Sequence, residues 1–206
     1  MISPVRLLLL RHGEVEERYH RIFGGRIDMD LSPQGHAQAE VLARYLRQRP
    51  VDAIYTSPMR RAQQTLAPLA THCPRPPVVL QEFREVDFGD WTGLSWEQVH
   101  ARFGVRAFDW LQQLQAAAIP NAESGAAFRS RVEPALRRVV RSHAGQTVAI
   151  ICHGGVVRAM LSVLLELPLE QTASFEIDYA SLTRVEVHEH RTEVTLLNFT
   201  PWRDLQ

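Results

Sequence analysis

Val5-Arg6-Leu7-Leu8-Leu9-Leu10, followed at once by Arg11-His12-Gly13-Glu14, is the stretch on which the fold turns. A short, nearly continuous apolar run is the mark of a strand buried on both faces, and such strands belong to parallel sheets covered by helices. The polar residues fall where the strand stops. Thr147–Cys152 repeats the pattern, and Val51–Tyr55 repeats it more weakly.

Each run precedes a helix signal. After the first, Ser32 is placed to cap a helix that has Pro33 at its first position. Ala39, Leu42, Tyr45 and Leu46 then share one face. Ser57-Pro58 has the same form, with Met59, Ala62, Leu66 and Leu69 periodic behind it. His153-Gly154-Gly155 opens a third helix through Val156, Val157, Met160, Leu161, Leu164 and Leu165. Ser124–His143 is a further amphipathic stretch, with Phe128, Val132, Leu136 and Val140 four apart and Pro134 predicting a kink or a break. Phe175–Phe199 alternates, with a turn expected at His190-Arg191 between two strands. Strands alternating with helices predict a three-layer α/β fold: a mostly parallel, doubly wound sheet with helices on both faces.

The chain has 206 residues, 45% of them hydrophobic, enough for a core without staples. One domain over 1–206 is expected, with a helical lid at about 92–122. Basic and acidic residues balance at 23 each, so neither a nucleic acid nor a membrane surface is an expected partner. Cys73 and Cys152 lack disulfide or CxxC spacing and read as reduced, buried residues. The leucines at 7–10 are too few for a signal core or a span, which places the protein in the cytoplasm by default. CPRPP at 73–77 reads as a loop.

Ligands of open α/β sheets bind beyond the carboxyl ends of the strands. There the sequence delivers Arg11-His12-Gly13-Glu14, Arg60-Arg61 and His153-Gly154-Gly155. Guanidinium forks match phosphate oxygens, and helix N-termini add N–H donors. A neutral imidazole can attack phosphorus, and a carboxylic acid can protonate the leaving oxygen. Arg60 and Arg61 share a turn, so only one faces inward, and the spacing to Ala62 and Thr65 favours Arg61. Among Glu82, Glu85, Asp87 and Asp90, residue type alone does not choose the acid. Glu14 is expected to orient the Arg or His, and Cys152 to be core. His20, His36, His72, His100, His143, His188 and His190 read as surface or helix residues. Trp91, Trp96, Phe108 and Trp110 either wall a pocket or form the lid's own core. Arg18, Tyr19, His20 and Arg21 form a polar loop beside His12.

These segments together resemble the histidine phosphatase superfamily, the phosphoglycerate-mutase-like fold, over nearly the whole chain. Arg11-His12-Gly13-Glu14 is similar to its opening motif, whose His is the nucleophile. Ser57-Pro58-Met59-Arg60-Arg61-Ala62-Gln63-Gln64-Thr65 is similar to the segment that makes Arg61 the phosphate ligand. Phe83–Gly93 is similar to the acid-bearing segment, which makes Glu85 the proton donor. Cys152–Arg158 resembles the second-histidine motif. The resemblance implies His12, Glu85, His153, Arg11 and Arg61 as catalytic residues and Arg18, Gly24 and Gly154 as substrate contacts. No metal and no cofactor is implied. The expected partner is a small phosphate ester, and a homodimer is the one assembly considered. Two positions depart from the pattern: Val15 stands for the usual Thr and Arg18 for the usual phosphate-contacting Asn. Asn121-Ala122-Glu123-Ser124 is a weakened form of the family's Gly-Glu-Ser.

Three functions compete. A phosphomonoesterase passes the group to water; a cofactor-dependent phosphoglycerate mutase returns it to another hydroxyl; a non-catalytic module only binds. The short span from Glu85 to His153, with Asp87 and Asp90 early in it and Gly89-Asp90-Trp91-Thr92-Gly93, resembles the phosphatase branch, although Arg102, Arg106, Arg129 and Arg131 leave a basic lid open. Retention of an acid speaks against a pure binder. A metallohydrolase lacks familiar ligand spacing. Arg11-His12-Gly13-Glu14-Val15, the Arg/Tyr-bearing loop after it and Gly25–Asp28 together resemble α-ribazole-5′-phosphate phosphatases, and broad-specificity sugar-phosphate phosphatases resemble the chain nearly as well.

Overall fold

The computed structural model describes residues 3–70 and 74–205. In chain order it contains β1 (Val5–Arg11), α1 (Pro33–Arg47), β2 (Ala53–Thr56), α2 (Arg60–Ala70), β3 (Val78–Val79), α3 (Trp96–Phe103), α4 (Trp110–Gln115), α5 (Gly125–Ser142), β4 (Thr147–Cys152), α6 (Gly154–Leu164), β5 (Leu182–Val187), β6 (Thr192–Phe199) and α7 (Pro201–Asp204). The strands form one sheet in the order β3-β2-β4-β1-β5-β6. The first four are parallel, and β5 and β6 are antiparallel additions at one edge.

Alternation along β1 sorts its leucines into two cores. Leu7 and Leu9 join Val148, Ile150 and Cys152 against α5 and α6, where Phe128, Leu136 and Met160 are buried. Leu8 and Leu10 join Ala149 and Ile151 against α1 and α2, with Leu42, Leu46, Ala62 and Leu66. Two apolar faces on one strand require helices on both sides, and the three-layer fold follows.

Ser32 caps α1 as expected, its side chain accepting from the Gly35 N–H with Pro33 at the helix start. Three local expectations need correction. The weak strand begins at Ala53, two residues late, and runs to Thr56. Ser57 does not cap a helix: α2 starts only at Arg60, and the Ser57 hydroxyl bonds to the Met59 N–H and to His153. Pro134 does not break α5, which runs unbroken from Gly125 to Ser142. Proline in a helix costs about 3 kcal/mol. Burying Phe128, Val132, Leu136 and Val139 returns roughly 1.5–3 kcal/mol each, and the cost is outweighed. Of the two cysteines, Cys152 is a free thiol in the core and Cys73 lies outside the described residues.

Parallel register explains how the site assembles. Arg11 pairs with Cys152 and Thr56 with Ile151, so β1, β4 and β2 end level with one another. The next residues, His12, His153 and Ser57, therefore emerge side by side.

Candidate active site

His12 continues its strand by donating its N–H to Cys152 O at 3.0 Å. Its ring Nδ1 lies 2.8 Å from Gly13 O. A carbonyl only accepts, so Nδ1 carries the proton and Nε2 keeps a free lone pair. That lone pair faces Arg61 Nε, which donates to His12 Nε2 at 3.1 Å and to His153 Nδ1 at 3.2 Å. His153 Nε2 in turn donates to Ser57 Oγ at 2.7 Å. One buried guanidinium thus fixes two imidazoles, whose rings stand 5.2 Å apart.

Arg61 is held as firmly as it holds. Its Nη1 donates to Ile27 O at 2.7 Å and its Nη2 to Gly25 O at 2.9 Å, and the residue is 3% exposed. Burial lowers its pKa to about 10, which leaves it charged at neutral pH. Arg60, its neighbour, points to solvent and pairs with Asp30 at 2.8 Å. Arg11 donates to Ile177 O at 2.7 Å and stacks 3.9 Å over the Tyr179 ring.

Both histidines are pushed well below the usual 6.5, first by burial and then by Arg61. They stay neutral at pH 7, which is the form a nucleophile needs. Below pH 6.5 the unfolded chain takes up protons at these two positions and the folded chain does not, so stability falls as pH falls. Each imidazole contributes a slope of up to about 1.4 kcal/mol per pH unit. Thermal melts between pH 7 and pH 5 should show a steady loss, reduced in His153→Gln. A melting temperature flat over that range would contradict the neutral, buried assignment.

Glu85 sits at the start of α6, accepting from Val86 N at 3.0 Å and Gly155 N at 3.1 Å. A Cβ on Gly155 would lie 2.5 Å from Glu85 Oε1, so glycine is required there for the carboxylate to approach. Gly155 therefore makes room for an acid. A second device fixes this segment from behind. Arg131 donates to the carbonyls of Glu82, Arg84 and Glu85 at 2.6–3.1 Å and pairs with Glu123 at 2.7 Å, and Glu123 also accepts from Asp87 N.

These groups face a cavity of about 460 Å³. Arg11, His12, Gly24, Arg61 and Glu85 line it, whereas His153 and Gly154 lie behind the lining. Trp96, Phe108 and Trp110 form one wall, and Trp91 is core at 1% exposed. Several sequence expectations need correction here. Arg18 does not face the cavity; it turns out to Glu16 at 2.7 Å in a short exposed 3-10 turn. Glu14 orients neither Arg nor His, because its carboxylate accepts from Ser32 Oγ at 2.8 Å. His143 is not a surface residue: it is buried between Tyr55 and Gln146. His20 is half-buried, bonded to Val15 O. His72 lies outside the described residues. Among the described residues, the one group with metal-ligand spacing is Glu186, His188 and Glu193 on the β5–β6 hairpin, and no described helix is long and apolar enough to cross a membrane.

The sequence profile of the histidine phosphatase superfamily (branch 1) matches residues 7–200. The chain belongs to this superfamily. Phosphoserine phosphatase 1 of Hydrogenobacter thermophilus is 32% identical to this histidine phosphatase, over 95% of the chain and 93% of the relative. The adenosylcobalamin/alpha-ribazole phosphatase of Salmonella typhimurium is 27% identical over 94% and 96%. Among solved structures, a mycobacterial glucosyl-3-phosphoglycerate phosphatase superposes with a TM-score of 0.86 at 27% identity, covering 95% of this chain and 99% of that one.

Proposed function

We propose that the chain is a metal-independent phosphomonoesterase that carries the phosphoryl group of a small phosphate ester on His12 before water removes it. The observation that carries this reading is the neutral His12 Nε2 lone pair, fixed by Gly13 O and held at Arg61 Nε inside a cavity that also contains Glu85. An incoming phosphate takes over the Arg61 Nε–H, and Arg11 adds a second guanidinium. Nε2 then attacks phosphorus as the ester P–O bond breaks, and the protonated Glu85 carboxyl gives its proton to the leaving oxygen. In the second half, Glu85 takes a proton from water, the water oxygen bonds to phosphorus, and the P–N bond breaks to regenerate neutral His12. Fixed cations supply the charge stabilisation that a metal would otherwise provide. The helices between 92 and 122 cover the leaving-group side. The relatives suggest phosphoserine, α-ribazole phosphate or a phosphoglycerate ester as substrate.

Hydrolysis is favoured over mutation of a phosphate position. The four arginines that could have built a basic lid do not line the cavity. Arg106 pairs with Asp109, Arg129 with Glu133 and Arg131 with Glu123, and Arg102 is exposed. The test is to incubate 3-phosphoglycerate with catalytic 2,3-bisphosphoglycerate, with and without chelator, and follow all products. Free phosphate without 2-phosphoglycerate, undiminished by chelator, is expected. Rapid interconversion of the phosphoglycerates with negligible phosphate would overturn the reading, and activity restored only by a divalent ion would overturn its metal-independent part.

A further inference from the structure

Arg11 and Arg61 are the two guanidiniums of the chemistry above, and they are held very differently. Arg61 is fixed by four hydrogen bonds, to His12, His153, Ile27 and Gly25. Arg11 has one side-chain hydrogen bond, from Nη1 to Ile177 O at 2.7 Å. Its Nε is buried without a partner, and among the described residues no carboxylate pairs with it. A guanidinium tied at one nitrogen can swing about that contact, and a swinging fork matches phosphate oxygens poorly.

The second restraint on Arg11 is the ring of Tyr179. The guanidinium carbon lies 3.9 Å over the ring centroid. Arginine packs on aromatic faces in this way, and the contact limits its swing while leaving N–H edges free to donate. The same ring stands 5.6 Å from that of His12 and lines the cavity. Among the described residues its hydroxyl makes no hydrogen bond, so the ring is what Tyr179 offers.

The backbone holds the tyrosine in that place. Ser181 N–H donates to Asp178 O at 3.2 Å and closes a tight turn with Tyr179 and Ala180 at its corners. Ala180 has φ of +51°, a region where glycine is usual and alanine is strained. Such strain persists where the surroundings over-determine it. Here Ala180 N–H donates to His12 O at 3.0 Å, Arg11 N–H donates to Ser181 O at 3.1 Å, and Trp202 Nε1 donates to Tyr179 O at 3.1 Å. Tyr179 is thereby fastened to the strand end that carries Arg11 and His12.

We propose that Tyr179 is a positioning residue for Arg11, its ring holding the guanidinium in the orientation that receives the phosphoryl oxygens. The inference rests on the phosphatase reading and adds a residue to it. The effect passes through Arg11 to the phosphoryl group, so it does not depend on the leaving group.

The test compares kcat/KM on p-nitrophenyl phosphate and O-phosphoserine. Tyr179→Leu should lose at least about tenfold on both esters, with the two losses within about threefold of each other. Tyr179→Phe keeps the ring and should recover activity to within about threefold of the wild type. Arg11→Gln leaves no cation for the ring to hold, so adding Tyr179→Leu to it should cost less than about threefold more. Tyr179→Met serves if the leucine variant does not fold. A phenylalanine variant as impaired as the leucine variant would assign the effect to the hydroxyl. A leucine loss undiminished in Arg11→Gln would assign it to general packing. Either result overturns the proposal, as does full activity in Tyr179→Leu. Calorimetric binding of inorganic phosphate to the wild type and to the two single Tyr179 variants needs no turnover. If neither ester is hydrolysed, the phosphatase reading has failed, and phosphate still decides the role of Tyr179: weaker binding in the leucine variant alone upholds it, and equal binding in all three overturns it.

Discussion

His12→Ala is expected to stay folded and to lose turnover by a factor on the order of 10⁴ or more, as when a covalent nucleophile is removed. The structure separates the two effects. The backbone N–H of residue 12, bonded to Cys152 O, remains in the variant, so the sheet is not disturbed. Arg61 loses one of its acceptors but keeps His153 Nδ1, Gly25 O and Ile27 O, so its guanidinium stays in place. Substrate should therefore still bind, and chemistry should stop. Trapping the parent with labelled substrate should give an acid-labile phosphoryl label that the variant lacks. A folded variant that keeps more than about a hundredth of the parent's activity, or that takes up the same label, would remove His12 from the mechanism.

Much of this was legible in the sequence, because strand ends in a parallel sheet line up. The apolar runs at 5–10 and 147–152 predict neighbouring strands, and their level ends bring residues 12 and 153 together. Arg61 over Arg60 was legible from helical spacing, and the side chains point inward and outward accordingly. What failed was reading roles for residues whose partners lie far away in sequence. Ser57 looks like a cap because Pro58 follows it, but its hydroxyl is claimed by a histidine 96 residues on. Arg18 looks like a phosphate ligand because of its position near His12, yet Glu16, two residues back, turns it outward. Arg131 reads from the sequence as one of four arginines of a basic lid, and Arg158 as the last residue of the second-histidine motif. No periodicity reveals that one binds three carbonyls of the acid segment and the other faces the cavity. Pro134 misled for a different reason: the local penalty is real, but the packed face of α5 exceeds it.

Glu85→Gln should separate substrates by their leaving groups. The two carboxylate oxygens accept from Val86 N and Gly155 N, which leaves lone pairs for the proton that the proposed mechanism passes to the ester oxygen. Glutamine has nearly the same shape, but its amide group faces one of those N–H donors and has no acidic proton to give. The lost hydrogen bond costs about 1 kcal/mol locally. The lost proton transfer costs about 10²–10⁴ in rate wherever the leaving alkoxide needs it. An alkyl phosphate such as O-phosphoserine needs it fully, and p-nitrophenyl phosphate scarcely needs it. The variant should therefore lose at least about a hundredfold on the alkyl ester and less than about tenfold on the aryl ester. The aryl ester still requires His12, Arg61 and Arg11, so its survival also shows that the rest of the site is intact. Gly155→Ala should move the loss in the same direction, because its methyl group would displace the carboxylate from the place it occupies. Equal losses on the two esters in Glu85→Gln would mean that the carboxylate only shapes the site, and the proton donor would have to be sought elsewhere in the cavity.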